Sequence, residues 1–164
     1  MKEEGKMEDK VVIKFVKTHP DAKLPTKAYS DLDNCWDLYC CEETTIPAST
    51  VVNGEFILGT NLVPVGLQVA FTTPGFGFAT KQKSGLAFKH FILPVAGEMD
   101  SNYRGDFSVR LINLSNKPHT FEKHSKITQF KVEKIWKTDI SFTDKTEEAG
   151  DARGEGGFGS SGKK

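Results

Sequence analysis

The sequence predicts an all-β fold, built as a sandwich or barrel, on three observations. Its apolar residues come in short and mostly alternating runs, which is the pattern of half-buried strands. Turn-forming residues separate these runs at intervals of about ten residues. No window of about 12 residues or more keeps the 3.6-residue period of an amphipathic helix. We therefore expect many short strands and little helix.

The strands are expected in a simple order along the chain. Seven apolar runs predict them, at residues 11–16, 36–40, 56–58, 65–71, 88–93, 107–114 and 127–135. Turn signals lie between the runs at Asn53-Gly54, Pro74-Gly75, 102–105 and 116–118. One short helix is indicated near residues 81–87.

The composition divides the chain into two parts. Residues 1–137 have the apolar content of one β domain, with a charged tail at residues 1–10. Residues 138–164 are polar and acidic at first, and five glycines then fall between Arg153 and Gly162. Glycine loses more backbone freedom on ordering than any other residue, so a packed sheet is not expected there. We predict a linker and a flexible, glycine-rich arm.

Net charge and apolar content argue against two broad classes of function. The 22 basic and 22 acidic residues cancel, and a pI near 6.9 gives no support for binding nucleic acids or membranes through bulk charge. No apolar run reaches the roughly 18 residues that span a bilayer. The N-terminus mixes both signs of charge without the apolar core of a secretory signal. A cytoplasmic location is therefore expected, in a cell or in the host of a virus.

The cysteines predict neither a disulfide framework nor a zinc site. The chain has three, Cys35, Cys40 and Cys41, and an odd number at this spacing fits neither arrangement. We expect buried or half-buried reduced thiols.

Three segments contain residue types that could do chemistry. The loop from Asp100 to Gly105 offers a carboxylate and an aromatic ring, although a solvated turn would contain the same residues. Lys83-Ser84-Gly85 presents a cation, a hydroxyl and a backbone N–H, which suits a phosphate group but also an ordinary solvated loop. The C-terminal arm, with one Arg and one Phe among its glycines, fits a disordered tail, a ligand-binding arm or a nucleic-acid segment.

The order and spacing of these segments resemble the homotrimeric dUTPase family. The resemblance extends from Tyr29 to Gly162 and includes five family motifs in the family's order. The motifs correspond to residues 36–39, 83–90, 97–105, 127–130 and 153–162. The third keeps its Asp-x-x-Tyr-Arg-Gly pattern, and the fifth is near-complete over ten residues, so the resemblance is specific.

This resemblance implies a distorted jelly-roll-like barrel or sandwich that assembles as a homotrimer with active sites shared between subunits. The implied reaction is hydrolysis of dUTP to dUMP and pyrophosphate, by water attack on the α-phosphate with Mg²⁺ as cofactor. Such an enzyme keeps uracil out of DNA and supplies dUMP for dTMP synthesis. Binding to nucleic acid or to a membrane is not expected, and a regulatory protein partner is left open.

The resemblance also implies roles for individual residues. Asp100 corresponds to the general base that deprotonates the attacking water. Asp37 corresponds to the carboxylate that holds Mg²⁺ through water molecules. The phosphate contacts correspond to Lys83, Ser84, Gly85 and Gln129.

Other residues correspond to those that bind the nucleoside. Tyr103 corresponds to the ring that packs on the deoxyribose and excludes a 2′-hydroxyl. Uracil recognition corresponds to the hairpin at residues 91–99, where main-chain groups, including those of Gly97 and Met99, take the place of a base-pairing partner. In the arm, Arg153 would grip the γ-phosphate and Phe158 would stack on uracil. The remaining substrate contacts correspond to Gly159 and Ser160.

Several positions depart from the family pattern. They are Cys35, Trp36, Lys83, Asn102, 124–126 and Thr128. Lys83 stands where arginine is usual, which replaces a planar fork by a point charge. We expect a divergent but active enzyme. Two alternatives stay open: a dUTPase-like fold used as a regulatory binding protein, and a dCTP deaminase of related fold.

Overall fold

The computed structural model describes residues 10–144 of the chain. Within that range it contains twelve strands and one helix. They are β1 (Ile13–Lys17), β2 (Trp36–Tyr39), β3 (Thr44–Ile46), β4 (Thr50–Val52), β5 (Glu55–Ile57), β6 (Gly59–Thr72), β7 (Phe76–Lys81), α1 (Ser84–His90), β8 (Ile92–Val95), β9 (Glu98–Met99), β10 (Asp106–Asn113), β11 (His119–Phe121) and β12 (Lys126–Lys134). The strand pairings are antiparallel. No helix in this range is long and apolar enough to cross a membrane.

Two four-stranded sheets form the body of the domain. One has the order β1-β6-β10-β8 and the other β2-β12-β7-β9, while β3–β11 and β4–β5 form separate two-stranded ribbons. Every second residue of β10 is buried, as expected for a strand with one face in a core. Phe78 of β7 and Phe107 of β10 come from different sheets, and their ring centroids are 5.3 Å apart. The sheets therefore pack face to face, which confirms the predicted all-β, jelly-roll-like sandwich.

The predicted strand at residues 88–93 is wrong in its first half. α1 occupies Ser84–His90, a few residues later than the helix expected at 81–87. Leu86 packs against the core, and Phe91 ends the helix in the left-handed conformation with a φ of 56°. β8 follows directly, so helix and strand share one apolar run. Hydrophobic pattern alone does not separate two such short elements.

Five strands lie outside the predicted runs: β3, β4, β7, β9 and β11. Four of them have three residues or fewer, which is too short to show an alternating pattern. β7 has six residues, but Gly77 and Thr80 interrupt its apolar sequence. Gly77 is needed there, because a Cβ would lie 2.6 Å from the carbonyl oxygen of Met99 on β9.

The predicted turn at Asn53-Gly54 is confirmed as the turn of a β-hairpin. Asn53 and Gly54 both have positive φ, 53° and 83°, as a type I′ hairpin turn requires. They join β4 to β5, which pair only with each other among the described strands. Val51 and Phe56 face each other across this ribbon and are 65% and 64% exposed.

β6 pairs with both β1 and β10 and holds the first sheet together. Its register with β10 shifts between Phe107 and Ser108, which marks a bulge at Gly66. Gly66 has a φ of +71°, and a Cβ there would lie 2.6 Å from the Cβ of His19. Only glycine fits this position without displacing the chain before β2.

The cysteines are free thiols, as predicted. Cys40 and Cys41 are buried and Cys35 is partly buried. Burial raises the pKa of the Cys40 and Cys41 thiols, which keeps them protonated and unreactive.

Candidate active site

One row of residues crosses the second sheet and forms the first half of the candidate site. Gln129 of β12 lies opposite Asp37 of β2 on one side and opposite Lys81 of β7 on the other. The Gln129 side-chain amide donates a hydrogen bond of 2.9 Å to the carbonyl of Gln82. Because α1 begins two residues later, the sheet register brings Asp37 and Gln129 beside the Lys83-Ser84-Gly85 turn.

Asp37 is the most buried charged residue of this half. It is 2% exposed, and its backbone pairs with that of Thr26. Lys83 Nζ donates to Oδ1 at 2.5 Å, and Lys126 Nζ lies 2.7 Å from Oδ2. Burial raises the pKa of Asp37, but the contacts with Lys126 and Lys83 outweigh it, so the pKa lies below its ordinary value of 3.8. Asp37 is therefore a carboxylate at neutral pH.

One oxygen of Asp37 keeps an unused acceptor position. The ammonium of Lys126 lies 2.7 Å from Oδ2, and this buried oxygen has no hydrogen-bond partner among the other described residues. A carboxylate oxygen has two lone pairs, so Oδ2 can accept from one further donor. Residues 10–144 contain no cluster of three or more His, Cys, Asp or Glu side chains that would hold a metal directly. Mg²⁺ keeps several waters and prefers phosphate oxygens, so a single carboxylate that accepts from metal-bound water fits this ion.

The start of α1 is open to a ligand. Lys83 precedes the helix in an extended conformation, and its side chain makes no cap bond. Ser84 is exposed, and a Cβ added at Gly85 would meet nothing within 4 Å. The amides of the first helical turn have no partner inside the helix. The turn thus offers a hydroxyl, free N–H groups and space, which are the features that a phosphate group requires.

The second half of the candidate site lies in the turn after β9. The backbone N–H of Tyr103 donates to the carbonyl of Asp100 at 3.1 Å, and the Tyr103 hydroxyl donates to the carbonyl of Asp106 at 2.9 Å. A Cβ at Gly105 would collide with the Tyr103 ring, so glycine there lets the ring lie against the loop. Asp100 is exposed, and its carboxylate is free to meet a water molecule.

The turn between β8 and β9 is held on β7 by hydrogen bonds to its main-chain carbonyl groups. Thr80 donates its N–H to Gly97 and its hydroxyl to the carbonyl of Ala96, at 3.0 Å and 2.8 Å. Gly97 has a φ of +102°, and a Cβ there would lie 2.8 Å from Cγ2 of Thr80. Met99 lies opposite Phe78. The predicted hairpin at residues 91–99 is therefore wrong as a strand pairing, because β8 and β9 belong to different sheets. A tight turn with fixed main-chain groups joins them instead.

Within one chain the two halves are far apart. Lys81 is level with Asp37 and Gln129, whereas the carbonyl of Met99 meets β7 at Gly77. Lys81 and Gly77 are four residues apart on β7, which is about 13 Å at about 3.3 Å per residue. In addition, β7 lies between β12 and β9 in the sheet, so the two halves are also separated across the strands. The structure brings Asp37, Lys83, Ser84 and Gln129 together, but it does not bring them to Asp100 and Tyr103.

The remaining predicted site residues belong to the C-terminal arm. The structure does not describe this part of the chain, which contains Arg153, Phe158, Gly159 and Ser160. Lys126 was not predicted to belong to the site, although it directly precedes the fourth motif at residues 127–130. Two departures from the family pattern have structural explanations. His124, in place of glycine, has a φ of 69° and a ring hydrogen bond with the carbonyl of Asp21, while the Thr128 hydroxyl donates to the carbonyl of Lys81.

Comparison with known proteins identifies close relatives. A family model described as dUTPase matches residues 21–162. The deoxyuridine 5'-triphosphate nucleotidohydrolase of Debaryomyces hansenii is 40% identical over 146 residues, which cover 87% of this chain and 82% of the relative. That of Candida albicans is 37% identical over 161 residues, covering 96% and 92%. The dUTPase of Staphylococcus bacteriophage 80alpha, solved with dUpNHpp, has a TM-score of 0.75 at 18% identity, covering 92% and 98%, and supports the fold.

Proposed function

The chain belongs to the dUTPase family, and from this membership we infer that it hydrolyses dUTP to dUMP and pyrophosphate. The observation that supports this most directly is the row of Asp37 and Gln129 beside the open Lys83-Ser84-Gly85 turn. The curated relatives are nucleotidohydrolases, which disfavours a deaminase. The reaction removes dUTP from the pool that is built into DNA and supplies dUMP for dTMP synthesis.

Asp100 is the proposed general base. Its exposed carboxylate stands on a turn whose backbone is fixed by Tyr103, so it can accept a proton from a water molecule. That water attacks the α-phosphorus, the bond to the bridging oxygen breaks, and pyrophosphate leaves. Phosphoryl transfer depends mainly on positioning and charge stabilisation, so one oriented carboxylate is sufficient for the proton.

The phosphates are proposed to bind at the start of α1. Ser84 and Gly85 supply a hydroxyl and backbone N–H groups, Lys83 supplies positive charge, and the Gln129 amide lies at the same level of the sheet. Mg²⁺ would be held by Asp37 through water, with Oδ2 as the available acceptor. Bound there, the ion would neutralise part of the negative charge of the triphosphate.

The nucleoside is proposed to bind at the turn between β8 and β9 and at Tyr103. Main-chain groups of Gly97 and Met99 would recognise uracil, because Thr80 of β7 holds this turn in place through two hydrogen bonds. The Tyr103 ring, anchored through its hydroxyl, would pack on the deoxyribose and exclude a 2′-hydroxyl. Arg153, Phe158, Gly159 and Ser160 of the arm would cover the bound nucleotide.

A homotrimer with shared sites is proposed because one chain keeps the two halves apart. Two further features support assembly. Trp136, Ile140 and Phe142 are 71%, 89% and 107% exposed, although their side chains are apolar. A cleft of about 510 Å³ beside Phe15 and Trp36 offers an apolar surface of the kind that such side chains cover. A cytoplasmic location stays a prediction of the sequence.

The test of this function is pyrophosphate release with Mg²⁺ from dUTP, dTTP, dCTP and UTP in parallel. Asp100→Asn serves as the blank. Release from dUTP alone, and none from the variant, is the expected result. Binding of dUTP without release would instead favour the regulatory binding protein.

A further inference from the structure

We propose that Lys126 is a positioning residue that neutralises Asp37 and thereby leaves the charge of Lys83 available to the substrate phosphates. The proposal rests on the function inferred above, in which a triphosphate binds at the Lys83-Ser84 turn. The observation that supports the proposal is a charge cluster in which the ammonium groups of Lys83 and Lys126 both contact the buried carboxylate of Asp37. The cluster has a net charge of one positive unit, whereas Asp37 and Lys83 alone would be neutral.

A bulge in β12 is what brings Lys126 to Asp37. Gln129 lies opposite Asp37 and Thr128 opposite Leu38, but the next pair is Lys126 with Tyr39, so Ile127 is an extra residue. In a regular strand Ile127 would take that place, and Lys126 would point to the other face of the sheet. The bulge re-aims one side chain, as bulges beside functional sites commonly do.

The burial of the neighbouring residues agrees with this assignment. Ile127 and Thr128 are 1% and 0% exposed, whereas the side chain of Lys126 is 43% exposed. Ile127 thus fills the core while Lys126 reaches Asp37 from the solvent side. The bulge allows Ile127 to be buried in the core and Lys126 to contact Asp37, and a regular register would not allow both.

The two lysines differ in what else they can contact. Lys83 directly precedes Ser84 at the start of α1, so it belongs to the turn that is proposed to hold phosphate. Lys126 is on β12 and meets the carboxylate at the other oxygen. An incoming triphosphate competes with Asp37 for Lys83. If Lys126 were absent, Asp37 would then be a buried carboxylate without a lysine partner, and a buried charge that has lost its partner is strongly unfavourable.

This arrangement predicts that the two lysines act as a unit in substrate binding. Without Lys126, Lys83 is bound to Asp37 as a neutral pair and attracts phosphate weakly. Removing Lys83 from that protein should then have little further effect. Two lysines that contributed independently would instead show losses that multiply.

A double-mutant cycle tests this with the non-hydrolysable analogue dUpNHpp in the presence of Mg²⁺. Affinity is measured for the wild type, Lys83→Met, Lys126→Met and the double variant. We expect each single change to weaken binding of the analogue about 10-fold or more, which is the loss typical of removing a residue that orients a metal ligand. The double variant should bind within about threefold of Lys126→Met. A double loss equal to the product of the single losses would overturn the proposal.

Two further variants separate positioning from a general loss of structure. Lys126→Arg keeps the charge and should restore most of the affinity; a loss as large as that of Lys126→Met would contradict the proposal, also if Lys126→Met does not fold. Lys123→Met is the matched control, because Lys123 pairs with Asp21 on the surface, away from Asp37. Hydrolysis of dUTP by the wild type is measured alongside, so an additive cycle in an active enzyme refutes only the role of Lys126.

Discussion

Replacing Asp37 by asparagine should weaken the folded protein, because two lysines lose the carboxylate between them. Asp37 is 2% exposed and contacts both ammonium groups. Removing one partner of a fully buried ion pair costs about 3–5 kcal/mol. The side chains of Lys83 and Lys126 are 24% and 43% exposed, so water screens part of the repulsion. We therefore expect Asp37→Asn to lower the free energy of unfolding by about 2 kcal/mol at pH 7.

The pH dependence of this difference has a definite sign. The pKa of Asp37 is lower in the folded protein than its ordinary value of 3.8. Its contribution is therefore fully present above the unfolded pKa and is lost as the pH falls through the folded pKa. The wild type and Asp37→Asn should differ at neutral pH and converge below that point.

Urea unfolding at a fixed protein concentration measures both effects, since assembly makes stability depend on concentration. Asp21→Asn is the control, because Asp21 forms an exposed pair with Lys123 and its loss should leave the unfolding midpoint unchanged. Equal stability of Asp37→Asn and the wild type at pH 7 would refute the reasoning. So would a difference that persists in acid.

Three other changes test separate parts of the account. Asp100→Asn should abolish turnover while dUpNHpp still binds; residual turnover near the wild-type rate, measured as pyrophosphate release, would remove Asp100 from the mechanism. Deletion of the residues after Gly150 should reduce kcat/KM far more than it changes the unfolding midpoint, and a truncated protein that fails to fold would contradict the predicted role of the arm. Gly105→Ala should displace the Tyr103 ring and raise activity on UTP relative to dUTP; an unchanged ratio would show that the ring does not select the sugar.

Much of the fold could be predicted from local sequence. The predictions that were wrong have identifiable physical causes. The alternating run that predicts β10 survives in the structure because that strand has one face in the core. The run at residues 88–93 was misleading because α1 ends and β8 begins within it, and each contributes too few residues to show its own period. Strands such as β9 exist only through their partner, since two residues paired to β7 leave no periodic signal.

The candidate site was predictable in its members but not in its arrangement. Motif order identified Asp37, Ser84 and Gln129, and the sheet register then placed them together. The contact of Lys126 with Asp37 depends on a bulge in β12, and no residue type in this part of the sequence predicts that bulge. The distance between the two halves of the site likewise follows from strand pairing alone.

The central claim is that each active site combines the phosphate half of one chain with the Asp100 turn of another. Mixed trimers test it most directly, made by joint expression of Asp100→Asn with the double variant Ser84→Ala/Gln129→Ala, each under its own affinity tag. The account predicts that neither parent hydrolyses dUTP well. In each mixed trimer one site in three should contain both intact halves and recover activity in proportion, because a ring of either mixed composition joins the two intact halves once around its threefold axis. Mixed trimers no more active than their parents would contradict the account, because they would show that each site is built within a single chain.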